Sequence, residues 1–183
     1  IERIPGESAW RCVDLSSGTV IRRQFYHFVS KHAFDIEGMG PKVVDMLMDN
    51  HLISSYPDIF TLKKGDLVDL PRFGEKSADA LLEAIEKSRV VKLSRFLVSL
   101  SIPQVGEETA EDLADNFESI EAIESAQKET LESINGVGPI VAKEITTWFS
   151  SRENKALVAR LQKQVTITHP KKKNSENQIF SGK

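Results

Sequence analysis

The 183-residue sequence predicts an all-α fold, built from four units of helix, tight turn and helix that pack as two pairs behind a short irregular N-terminal segment. Three observations predict it. A five-residue pattern recurs four times: Ile36-Glu37-Gly38-Met39-Gly40, Leu70-Pro71-Arg72-Phe73-Gly74, Ile102-Pro103-Gln104-Val105-Gly106 and Ile134-Asn135-Gly136-Val137-Gly138. The closing glycines stand 34, 32 and 32 residues apart, a spacing that marks repeated supersecondary units. Behind each glycine the apolar residues keep helical register. Val44, Ala78, Ala110 and Ala142 lie four residues on, and Leu47, Leu81, Leu113 and Ile145 lie seven on.

Each unit can be justified from its residues. Pro41 and Pro139 fall at the first helical position, where a missing N–H costs nothing. Leu67 and Leu131, three residues before the second and fourth patterns, predict a short helix leading into those turns, with Asp66 and Thr130 as N-caps. Glycines permit tight reversal and close backbone approach. The N–H groups of such a turn and of the following helix point outward together, with the positive end of the helix dipole behind them, and so form an anion site suited to phosphate. A single copy would be read as a simple reversal between helices. Reversal alone does not require the same five residues four times.

Around these units, residues 21–31 read as a helix with Ile21, Phe25 and Phe28 as its apolar stripe and Arg22 and Arg23 beside it, either solvated or facing nucleic acid. His27 and His32 read as structural. Residues 52–60 read as a connector with a short turn or helix, and 88–93 as a connector running into a helix through Phe96, Leu97 and Leu100. Residues 117–126 read as an acidic helical stretch, and 154–164 as a last helix. The polar stretch 169–178 reads as a linker.

The pattern resembles the helix-hairpin-helix motif, and four in tandem resemble the helix-hairpin-helix domain of bacterial NAD+-dependent DNA ligases. Phe28-Val29-Ser30, Phe34-Asp35-Ile36-Glu37-Gly38-Met39-Gly40 and Val105-Gly106-Glu107 carry the same likeness. The resemblance implies three segments: 1–27, a degenerate or truncated zinc-finger-like piece with a connecting helix; 28–168, the tandem DNA-binding domain; and 169–183, a linker and the start of a BRCT module, whose first strand Ile179-Phe180-Ser181-Gly182-Lys183 resembles. It implies a partner, nicked double-stranded DNA, gripped in the minor groove through its sugar-phosphate backbone, and a cytoplasmic, nucleoid-associated bacterial setting among the other domains of a ligase. Candidate DNA-binding residues are Gly38, Gly40, Lys42, Arg72, Gly74, Lys76, Gly106, Gly136, Gly138 and Lys143. In the zinc module of that family Cys12 would match one of four ligands, but a fourth is expected where Ser17 stands. One cysteine cannot build a tetrahedral structural zinc site, so Cys12 reads as a small apolar residue.

Composition bounds these readings. The single cysteine excludes an internal disulfide framework, and no apolar run approaches a membrane span. The net charge is −3, whereas a chain gripping DNA by charge alone should be basic. Residues 28–168 carry 16 Lys and Arg against 23 Asp and Glu, and within them 104–132 hold ten acidic groups and one base, Lys128. The third repeat is therefore expected to face away from DNA or to touch it only through its turn. Lys42, Arg72, Lys76 and Lys143 stand near the anion-binding end of the other three. A ligase of the resembled family takes AMP from NAD+ on the lysine of a Lys-x-Asp-Gly motif. None occurs in these residues, so catalysis and NAD+ binding are expected elsewhere in the parent. The pairs Glu107-Glu108 and Glu111-Asp112 read as a solvated helix face. Two alternatives stay open at this point: an interaction or spacer module that has lost DNA contact, and a part of another DNA-repair protein with paired hairpins.

Overall fold

Ten short α-helices are strung between glycine corners in a computed structural model, which describes residues 18–71 and 73–169 and the backbone of 2–3 and 10–11. Strand β1 (Glu2–Arg3) pairs antiparallel with β2 (Trp10–Arg11). Helix α1 (Gly18–Val29) leads into the first corner, and α2 (Pro41–Asp49) leaves it. A 3-10 turn (Tyr56–Thr61) and α3 (Lys64–Val68) lead into the second corner, which α4 (Glu75–Ser88) leaves. After β3 (Val90–Lys92), α5 (Leu93–Ser99) enters the third corner and α6 (Glu107–Asn116) leaves it. Then α7 (Ile120–Glu124) and α8 (Lys128–Glu132) lead to the fourth corner, followed by α9 (Pro139–Ser150), α10 (Arg152–Gln162) and β4 (Thr166–Thr168). The order falls into two similar halves: a helix into corners one and three, and two short helical pieces into corners two and four.

One set of positions builds the core in every unit. The first residue of each pattern is buried (Ile36, Leu70, Ile102, Ile134), and so is the fourth in three of them (Met39, Val105, Val137). The residues four and seven places past each closing glycine are buried in all four units. Aromatic side chains gather between α1, the 3-10 turn and α5: Phe28 stacks on Phe34 and Tyr56 at centroid distances of 4.4 and 4.3 Å, and Phe34 meets Phe96 edge-on at 6.3 Å. Burial raises the Tyr56 phenol to about 12. A unit on its own covers too little apolar surface; stacking of units supplies the core.

Polar contacts tie elements together within the first half and between the halves. Arg22 on α1 reaches Asp45 at 2.8 Å and Asp49 at 2.5 Å on α2, and Tyr26 donates to Asp45 at 2.5 Å. Those bonds, from Tyr26 first and Arg22 second, hold the Asp45 carboxyl below the usual range. Arg22 is thus committed to the fold, while Arg23 remains exposed. His27 Nε2 lies 2.9 Å from the Val98 carbonyl, joining α1 to α5. Asp58 takes N–H bonds from Ser54 and Ser55 at 2.9 and 2.7 Å and is met by Arg160 of α10 at 3.2 Å. Burial alone would raise the Asp58 carboxyl, but the bonds from Ser54 and Ser55 outweigh it and hold it below its ordinary value.

Three local expectations are corrected. Residues 90–92 are not merely a connector: β3 pairs in parallel with β4, Val90 opposite Thr166 and Lys92 opposite Thr168. Arg89 clasps that junction, donating to the Phe60 carbonyl at 2.7 Å and the Gln164 carbonyl at 2.8 Å. Asp66 is not the N-cap of α3. Lys63 holds that place, and Asp66, three residues in, reaches back to accept from the Lys63 N–H at 2.8 Å, a one-sided form of the capping box because a lysine side chain cannot accept in return. Thr130 likewise lies inside α8, whose N-cap is Gln127. Both helices begin a turn earlier than their apolar spacing indicates.

Candidate nucleic-acid interface

Each corner is closed by the same hydrogen bond. The N–H of the fourth residue of the pattern donates to the carbonyl of the first: Met39 to Ile36 at 3.1 Å, Phe73 to Leu70 at 3.0 Å, Val105 to Ile102 at 3.1 Å and Val137 to Ile134 at 3.1 Å. The closing glycine then caps the next helix by accepting its first bond, from Val44, Ala78, Ala110 and Ala142 at 3.0, 3.0, 2.9 and 2.9 Å. Gly40, Gly74, Gly106 and Gly138 are the N-caps, and no side chain caps any of the four helices. Their first-turn N–H groups therefore have no side-chain partner, with the helix dipole behind them.

The backbone separates two uses of glycine. The third residue of the pattern has positive φ wherever it is described: Gly38 at 80°, Gln104 at 64° and Gly136 at 82°. There glycine relieves strain. The capping glycines are extended, with φ of −76°, −125°, −94° and −81°, conformations open to any residue. A Cβ added to any of these four meets nothing within 4 Å. Neither internal packing nor backbone strain calls for glycine at those positions. All four are exposed, and each directly precedes the first-turn amides of its helix.

The charged neighbours differ from corner to corner. Lys42 and Lys76, each two residues past the cap, are exposed, and Lys143 is exposed on α9. Among the described residues no ion pair engages any of these three. The third corner carries Glu107 and Glu108 at the first two helical positions, and Glu107 meets His32 at 2.8 Å. His32, read as structural, joins the approach to the first corner to the start of α6. At the fourth corner Asp112 of α6 stands so close to Gly136 that an added Cβ would lie 2.8 Å from its carboxylate. Residues of corners one and two line one cleft of about 640 Å³, Asp35, Glu37 and Gly38 from the first and Phe73 and Ser77 from the second, with Lys87 of α4. Corners thus adjoin within each half, first with second and third with fourth.

Of the residues singled out from the sequence, Gly38, Gly40, Lys42, Gly74, Lys76, Gly106, Gly136, Gly138 and Lys143 all lie on or just behind exposed corners. Arg72, Cys12 and Ser17, with the segment from 170 onward, lie outside the described residues. Ile140 and Gln104 were not singled out, and Asp112, read as part of a solvated helix face, lies against the fourth corner. Ile140 was recoverable by aligning the second residue past each cap, which reads Lys42, Lys76, Glu108, Ile140. Among the described residues no group of three or more His, Cys, Asp or Glu is arranged to hold a metal, and no helix is long and apolar enough to cross a membrane.

Comparison with known proteins finds related sequences. Residues 31–87 match the SAM-like helix-hairpin-helix tandem, and residues 95–158 match the helix-hairpin-helix motif. The chain is 39% identical over 160 residues to a DNA ligase of Carboxydothermus hydrogenoformans, 37% over 167 residues to one of Desulforapulum autotrophicum and 45% over 161 residues to one of Geotalea uraniireducens. These matches cover 87%, 91% and 88% of the chain but 24% of each relative, so the chain spans about a quarter of the length of the relatives it matches. Two stretches of the chain thus match helix-hairpin-helix families, and most of its length is similar to one segment of DNA ligases.

Proposed function

We propose that this chain is the non-catalytic, DNA-gripping segment of an NAD+-dependent DNA ligase, holding nicked duplex DNA in the minor groove through its phosphate backbone during replication and repair. The observation that supports this reading is the set of capping glycines: exposed, unstrained, free of internal contact, and each placed before helix amides that have no side-chain cap. Backbone amides recognise phosphate without reading bases, so the grip is independent of sequence. Lys42, Lys76 and Lys143 add charge where it complements phosphate, although the domain as a whole is acidic. Local geometry, rather than net charge, does the binding.

The chemistry of the parent falls to other residues. The AMP-accepting lysine and the NAD+ site belong to parts of the ligase outside this chain, in the bacterial cytoplasm. This segment holds the duplex so that those parts can act on the nick.

A second reading, an interaction or spacer module with little DNA affinity, draws on Glu107 and Glu108 in front of the third corner and on the acidic surface around them. Fluorescence anisotropy of the 183-residue chain with two unrelated nicked duplexes separates the two. The grip predicts equal affinity for both duplexes and a slope of log affinity against log salt of about −3 or steeper, from three or more phosphate contacts. The paired substitution Gly40→Val and Gly138→Val should abolish binding at low salt while leaving the circular dichroism spectrum unchanged. Unchanged affinity in a folded double variant would favour the spacer.

A further inference from the structure

Among the described residues, two large apolar side chains are left exposed, Val90 at 64% and Ile140 at 71%. Val90 lies on strand β3, where a β-branched residue suits the backbone. Ile140 has no such reason. It is the second residue of α9, directly behind the Gly138 cap and Pro139, at a place where β-branching does not favour the helix. A helical Cβ tilts toward the N-terminus, so the Ile140 side chain leans over the amides of the fourth corner. At the same structural place the other corners carry Lys42, Lys76 and Glu108. Three of these four residues have a plain relation to a phosphate: two attract it and one repels it. The fourth is aliphatic.

We infer that Ile140 is an apolar DNA-contact residue, packing against deoxyribose and base edges in the minor groove while the fourth-corner amides hold the adjoining phosphate. This rests on the DNA-gripping reading above and gives it a second kind of contact. The minor groove offers apolar sugar surface between phosphates, and proteins that bind there place isoleucine and similar side chains against it. Lys143, three residues on and therefore on the same face of α9, supplies the charge one turn behind. A solvated surface position would gain nothing from an isoleucine, and a pure phosphate site would gain more from the lysine used at corners one and two.

The test measures binding of the 183-residue chain to a nicked duplex by fluorescence anisotropy over a range of salt. Burial of an aliphatic side chain releases no counterions. Ile140→Ala should therefore lose about 3- to 10-fold in affinity with the salt slope unchanged. Lys143→Ala should weaken binding and reduce the slope by about one. Ile140→Lys should bind less tightly than the parent, despite its added charge. All three side chains are exposed, and circular dichroism checks that each variant is folded. If Ile140→Ala binds as the parent does, or Ile140→Lys binds more tightly, the apolar contact is overturned while the phosphate grip stands. If the parent itself fails to bind duplex at low salt, the grip fails and this contact with it.

Discussion

At the third corner Gly106 is followed by Glu107 and Glu108; at the fourth, Gly138 is followed by Pro139 and Ile140. The two corners share their closing bond, 3.1 Å in each, their extended capping glycine and their uncapped helix start. They differ in the left-handed residue of the turn, Gln104 against Gly136, and in what stands before the amides. At the third corner two glutamates occupy the first turn, where the helix dipole favours them; neither caps the helix, and Glu107 meets His32 at 2.8 Å, but their negative charge opposes a phosphate. At the fourth the first turn carries no charge, and the nearest carboxylate, Asp112, belongs to the neighbouring helix. Under the proposed reading, the backbone of the corner is necessary for anion binding and not sufficient. On that reading the first two helical side chains set whether a phosphate can approach the amides.

The largest effect should come from closing each corner in turn. Gly138→Val adds a branched side chain where a Cβ meets nothing within 4 Å, at φ −81° and ψ 174°, an extended backbone that valine adopts freely. Loss of a charge-assisted contact of about 1.5–3 kcal/mol lowers duplex affinity by about 10- to 100-fold. Gly106→Val, at φ −94° and ψ −171°, should leave affinity within about twofold, since the negative charge of Glu107 and Glu108 already disfavours a phosphate there. Anisotropy titrations of both variants check this, and equal losses would break the comparison. Next in size is a cost in stability. Gly136→Ala forces a side chain to φ 82° and against the Asp112 carboxylate, and should cost about 1–2 kcal/mol in urea unfolding. Opening the third corner should have a smaller effect in the other direction. With Glu107→Gln and Glu108→Lys, which recreates the residue type of positions 42 and 76, affinity should rise by about 3- to 10-fold and the salt slope should steepen by about one. No gain would mean that this corner points away from the duplex whatever its charge.

The parts of this architecture legible in the sequence are those that depend on near neighbours. A glycine at a corner and apolar residues four and seven places on are a local signal, and Gly138, Ala142 and Ile145 could be placed from it directly. The pairing of Val90 with Thr166 joins residues far apart in the chain, and parallel register leaves no trace in either segment beyond β-branched residues such as Val90, Val91, Thr166 and Ile167. Arg22 offered either a solvated or a DNA-facing reading, because its partners Asp45 and Asp49 belong to another helix. Asp66 and Thr130 were displaced from cap to interior because a five-residue helix is too short for periodicity to fix its start. At the interface, spacing alone identified the exposed glycines. The intrusion of Asp112 on the fourth corner came from tertiary packing.

Gln104 sharpens the comparison at its smallest scale. It occupies the place that Gly38 and Gly136 fill, and its φ of 64° shows that the third corner keeps the left-handed turn without the residue that suits it. An L-residue there costs about 1–2 kcal/mol, while glycine costs about 0.5–1 kcal/mol in unfolded-chain entropy. Gln104→Gly should therefore stabilise the protein by about 0.5 kcal/mol, a rise in thermal midpoint of about one or two degrees. Duplex affinity should not change, because the amides of that corner remain screened by Glu107 and Glu108. A gain in affinity would show that the side chain of Gln104, rather than the two carboxylates, keeps phosphate out, and the difference between the third and fourth corners would then lie in the turn itself.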